Sequence, residues 1–151
     1  MRTLIYKRTH SGDPDPPSGI FGCHNCMKRV RGWNYDAVIG VGGRGAQPRS
    51  WGIAERLTWI GIGPTKRPSE FGHPSVTFDH FLYYGEKGPI LADLAPELAS
   101  HIYANNVRVL MDKVSTSERQ EIDGILDLAR SAPPSGDGID GGRTGDRCAR
   151  C

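Results

Sequence analysis

Apolar side chains gather in short runs over the first part of this chain and at helical spacing over the later part. Thr3-Leu4-Ile5-Tyr6-Lys7 predicts a first strand, closed by a turn-rich segment with Gly12, Pro14, Pro16 and Pro17. Tyr35-Asp36-Ala37-Val38-Ile39-Gly40-Val41 is an apolar run between turn residues and predicts a buried strand. Residues 56–62 predict another, with Leu57, Trp59 and Gly61 on one face and Thr58, Ile60 and Ile62 on the other. Residues 76–78 and 81–85 are two further strand segments, rich in the β-branched and aromatic types that suit a pleated surface. Residues 91–103 predict a helix in which Pro96 must take the first turn or break it. Residues 117–130 predict a second helix. Ser115 and Glu118 stand before it at capping-box spacing, and Ile122, Ile125, Leu126 and Ala129 form its buried stripe. Strands first and helices later, without regular alternation, predict an α+β fold, with a small mixed or antiparallel sheet and C-terminal helices.

Composition narrows this picture. The 151 residues, 37% hydrophobic, suffice for one core, placed in residues 1–130. Residues 131–151 hold five glycines, two prolines and almost no apolar side chain. Such a stretch cannot offset its ordering entropy by burial and is predicted to be a disordered tail. There is no apolar run of ~18 residues and no secretory leader, so the expectation is a cytoplasmic protein without membrane contact. The net charge of +2 conceals an asymmetry: residues 1–67 carry +7 and residues 68–151 carry −5. A basic N-terminal half predicts an anionic partner, a nucleotide or nucleic acid. The alternative is that the two halves neutralise each other across the fold.

Several motifs carry candidate chemistry. Gly40-Val41-Gly42-Gly43-Arg44-Gly45 satisfies G-x-G-x-x-G, but a proline-containing loop and a strand follow it, where a dinucleotide fold requires a helix. It reads instead as a glycine loop between strands that lets a ligand approach the backbone, with Gly42 beside it and Arg44 placed to meet phosphate. Cys23-His24-Asn25-Cys26 and Cys148-Ala149-Arg150-Cys151 are both C-x-x-C pairs. They lie much farther apart than the ~15–20 residues of a compact zinc ribbon, so no metal and no cofactor are expected. Cys26 precedes Lys28, Arg29 and Arg31, cations that favour its thiolate, while His10 and Asp13 supply proton-transfer groups nearby in sequence. Trp51, near Arg49, and Tyr83 or Tyr84 are candidate stacking surfaces for a base; Trp59 and Phe78 are expected in the core.

In order along the chain, four segments resemble a known family. They are Tyr6 with its Pro/Gly-rich turn; Cys26-Met27-Lys28-Arg29-Val30-Arg31 leading to the strand ending Gly40-Val41-Gly42; Gly52-Ile53-Ala54-Glu55-Arg56-Leu57-Thr58-Trp59-Ile60; and Thr77-Phe78-Asp79-His80-Phe81-Leu82-Tyr83-Tyr84-Gly85. This series resembles the nucleotide modification associated domain proteins, small bacterial and phage proteins linked to DNA base hypermodification. The resemblance implies a base or nucleotide as ligand, with Cys26 as nucleophile and His10 or Asp13 as proton shuttles. Arg29, Arg31, Gly42, Arg44, Trp51 and Tyr84 would bind the nucleotide. A fold-level likeness to PUA-like barrels such as the EVE domain implies a non-catalytic reader of modified nucleic acid as the alternative, and a zinc-stabilised interaction module is a third.

Overall fold

The computed structural model describes residues 2–7, 36–43, 55–68, 74–84, 87–105, 109–110 and 113–134. Among them are five strands and three helices in the order β1 (Thr3–Lys7), β2 (Ala37–Gly42), β3 (Arg56–Pro68), β4 (Pro74–Tyr83), α1 (Leu91–Leu94), α2 (Pro96–Asn105), β5 (Val109–Leu110) and α3 (Thr116–Ser131). The strands form one sheet in the order β4-β3-β2-β1-β5, four long strands with a two-residue fifth at one edge. β1 and β2 run parallel, and every other pairing is antiparallel. The expected mixed α+β fold with C-terminal helices is present. The sheet is open, with β4 and β5 at its two edges, which corrects the expectation of a PUA-like barrel: a barrel needs its edge strands paired to each other.

The sheet is buried on both faces. One face carries Ile5, Ala37, Ile39, Val41, Ile60 and Leu82 against Leu98 and Ile102 of α2 and Ile122, Ile125, Leu126 and Ala129 of α3. Burial of each Ile, Leu or Val side chain among them contributes roughly 1.5–3 kcal/mol. The other face buries Leu4, Tyr6, Val38 and a ring cluster of Trp59, Phe78 and Phe81 with centroids 5.6–5.9 Å apart. Trp59 lies over Gly40, its partner across β2 and β3, in the space a Cβ there would need; Phe78 does the same over Gly61. The glycines of the G-x-G stretch thus begin inside a strand, where Gly40 makes room for an indole. The face holding Val38 and Gly40 is packed core.

Three departures from the expected pattern stand out. Gly40 pairs with Trp59 but Val41 pairs with Leu57, so Thr58 is an extra residue in β3. This bulge turns Leu57 onto the helix-side core beside Ile60 instead of beside Trp59. Pro96 breaks the expected single helix in two. Ala95 before it takes φ −147 and ψ 72, outside the helical region that a following proline disfavours, and Pro96 becomes the first residue of α2. The two expected strand segments after residue 75 are one strand, β4, paired with β3 from Trp59↔Tyr83 to Pro68↔Pro74. α3 begins as predicted: Ser115 Oγ accepts from Glu118 N at 3.1 Å, and the four predicted stripe residues are buried.

Candidate functional site at the carboxyl ends of β1 and β2

Because β1 and β2 are parallel and β3 runs against them, the carboxyl ends of β1 and β2 share one rim of the sheet with the start of β3. β4, antiparallel to β3, also ends there. Parallel strands present their carboxyl ends to ligands in open sheets because loops diverge there and leave a crevice. The rim gathers Lys7 from β1, Gly42 from β2 with Gly43 after it, Arg56 from β3 and Tyr84 after β4.

Register places the two cations. Lys7 pairs with Val41 and Arg56 with Gly42, so their strands flank β2 and lie about 10 Å apart at ~4.8 Å per strand; Val41 and Gly42 face opposite ways, so Lys7 leaves the helix side of the rim and Arg56 the other side. Between them Gly42 and Gly43 offer backbone without side chains. Lys7 shares its face with Ile5 and Val41, which draws its stem into the core; only 4% of the residue is exposed. Burial holds its ammonium below the ordinary lysine pKa, because a charged amine loses hydration there.

Arg56 is held by the strap of residues 88–91. Its Nη1 donates to Gly88 O at 2.6 Å, Leu57 N donates to Pro89 O at 2.9 Å and Leu91 N donates to Glu55 O at 2.8 Å. Gly88 is needed here, since a Cβ would collide with Leu57 O. Arg56 Nε is buried and has no hydrogen-bond partner in the structure. A buried guanidinium donor left in that state costs about 1–3 kcal/mol.

Of the residues singled out from sequence, Gly42 lies on this rim. Tyr84 follows β4, with its N–H donating to Thr58 O at 2.8 Å. Its ring packs against the helix-side core, and burial raises the pKa of its phenol, so it stays a protonated donor. Tyr83 is the more exposed neighbour, at 40%. Cys26, His10, Asp13, Arg29, Arg31, Arg44 and Trp51 lie outside the described residues, as do the remaining cysteines. In sequence, Arg44 directly follows Gly43, and Trp51 shortly precedes Glu55, so both flank rim residues along the chain.

Other groups with apparent chemistry serve the fold. Asp36 Oδ2 accepts from Arg2 N at 2.9 Å and ties the starts of β1 and β2 together. His80 Nε2 meets Ala129 O at 2.8 Å, fastening the last turns of α3 to β4. Trp59 and Phe78 are in the core, as expected. Among the described residues no group of three or more His, Cys, Asp or Glu side chains is placed to hold a metal, and no helix is long and apolar enough to cross a membrane.

Lys7 and Arg56 were not singled out from sequence. Lys7 did carry a signal: it continues the Thr3, Ile5 alternation and so falls on a buried face at a strand end. Arg56 carried none, since a cation opening an apolar strand is ordinary. No family model, curated protein or solved structure matches the chain, so what the rim does is argued from its own chemistry.

Proposed function

We propose that this protein binds a base or nucleotide at the rim formed by Lys7, Gly42, Gly43 and Arg56, in the service of nucleic-acid base modification. The observation that carries the reading is the pair of cations flanking β2 at its glycine end, one of them with an unsatisfied buried donor. A phosphate supplies the acceptors that a guanidinium and an ammonium need, and glycines let it approach the backbone. The sequence around the rim agrees with this: Arg44 follows the glycines, and Arg29 and Arg31 belong to the same basic half of the chain. On this reading Cys26, with His10 or Asp13, carries any chemistry on the bound base, and Trp51 stacks against it.

The test is calorimetric titration of the full chain with a mononucleotide, a single-stranded oligonucleotide and a duplex, at two salt concentrations. Arg56→Lys and Lys7→Met are compared with the wild type, each checked for native circular dichroism. Saturable, salt-sensitive binding that weakens about tenfold or more in either variant is the expected result, since each removes a charge-assisted contact. Wild-type affinity in both folded variants would sink the rim as the anion site. Cys26→Ser then divides enzyme from reader: it leaves binding intact in both and stops turnover only in an enzyme.

A further inference from the structure

The helical layer carries a second surface, independent of the nucleotide reading. Between α3 and the junction of α1 with α2 runs an open groove of about 460 Å³. Leu94, Pro96, Ile125 and Leu128 give it an apolar floor, and Leu128 is 58% exposed. The charged side chains on its lining are Glu97 and Glu121, with no Lys or Arg.

Gly124 also lines this groove, in the middle of α3. A mid-helix glycine weakens a helix relative to alanine, so one retained there usually makes room for something. Among the described residues outside its own helix it makes room for nothing: a Cβ at Gly124 would meet none of their atoms within 4 Å. What the glycine provides is bare backbone on the floor of the groove, where a neighbouring element can come close.

We infer that this groove docks a partner polypeptide segment that presents an apolar side chain between Lys or Arg residues. Charge decides the class of occupant. The described helices carry Asp93, Glu97, Glu118, Glu121, Asp123 and Asp127 against Arg119 and Arg130, with Lys113 just before α3; Glu118 already meets His101, and Glu121 accepts from the α2 backbone while lining the groove with Glu97. Asp127 already holds Arg130 at 3.0 Å. Two copies meeting through this face would bring like charges together, whereas a basic segment gains from them at the rim and buries its apolar residue over Leu128 and Ile125.

The experiment uses the full chain and a fluorescein-labelled synthetic helical peptide with leucines on one face and lysines and arginines beside them. One control replaces the leucines by serine and another replaces the cations by glutamate. The variants are Leu128→Asn, on the groove floor, and Gly124→Gln, which fills the groove with a helix-favouring side chain. Saturable anisotropy with the first peptide alone is expected, weakened about tenfold or more by each variant, as for a central interface contact. The melting temperature should stay level for Leu128→Asn and rise for Gly124→Gln. Equal binding by wild type and variants overturns the inference, as does binding of the serine control or of no peptide. Concentration-dependent dimers of wild-type protein in sedimentation, abolished by Leu128→Asn, would also overturn it by assigning the groove to a second copy. A fall in melting temperature for Leu128→Asn would overturn it by assigning the groove to the chain's own packing.

Discussion

At the residue scale, Lys7 is the most consequential side chain in the described structure. Its strand is buried throughout and its face carries Ile5 into the core, so alternation drives a charged group inward at the point where β1 ends. Burial lowers its pKa from the ordinary value of 10.5. The sign of the linkage follows from proton counts. Between the lowered folded value and 10.5 the unfolded chain binds more protons than the folded one, so folding gains stability as pH rises through that window. Above it the amine is neutral in both states and the penalty is gone; below it the penalty is complete. Lys7→Met has no such group. The stability of wild type relative to Lys7→Met should therefore increase with pH from neutrality toward 10.5, which thermal melts of the two proteins in matched alkaline buffers would reveal. A difference that stays flat with pH would mean the amine keeps its hydration. Gly63 is the other residue whose chemistry is fixed by its position: its φ of +70 is open to glycine and strained for most side chains.

At the element scale, the helices cap one another across the layer. α2 starts at Pro96 after Ala95, which has no side-chain oxygen to accept from the free N–H groups of its first turn. Glu121 of α3 performs that task, accepting from Leu98 N at 2.8 Å and Glu97 N at 3.2 Å. Its negative charge also suits the positive end of α2. Glu118 is similarly shared: its N–H goes to Ser115 Oγ while its carboxylate meets His101 Nδ1 at 2.8 Å, reaching across to α2. Removing Glu121 therefore breaks a contact between helices, and removing Ser115 breaks one within α3. Ser115→Ala should cost about 1 kcal/mol. Glu121→Ala should cost about 1.5–3 kcal/mol, because one exposed and one part-buried N–H lose a charged acceptor. Urea titration of both variants distinguishes them. Equal, small losses would show that water replaces the Glu121 carboxylate at α2 without penalty.

At the scale of the whole molecule, β2 is the keystone. It is paired on both sides, to β1 and β3, and Val38, Ile39 and Val41 are fully buried. It also holds the basic rim in register. β5 pairs only with β1, through two residues at an edge. Amide exchange should follow this ranking: residues 38–41 should exchange slowest, with a free energy close to that of global unfolding, and residues 109–110 fastest among the strands. Native-state hydrogen exchange by mass spectrometry or NMR checks it. If the β2 amides exchanged well below the global value, the rim would open without unfolding of the core, and the site would be a mobile one.

By itself the sequence determined the local elements. β1, the stripe and cap of α3, the core placement of Trp59 and Phe78, and the α+β class all follow from period, capping chemistry and order along the chain, which are short-range properties. Tertiary structure alone decided the rest. The break at Pro96 was open in sequence and was settled when α1 and α2 packed separately, with Glu121 supplying the cap that Ala95 lacks. The bulge at Thr58 reversed Leu57, because register is fixed by pairing with a strand distant in sequence. The open sheet, in place of a barrel, depends on which edges find partners. Lys7, Gly42 and Arg56 reach one rim because β1 and β2 run parallel while β3 returns beside them. Nothing local encodes that meeting, since strand direction and neighbour are set by burial on both faces of the sheet at once.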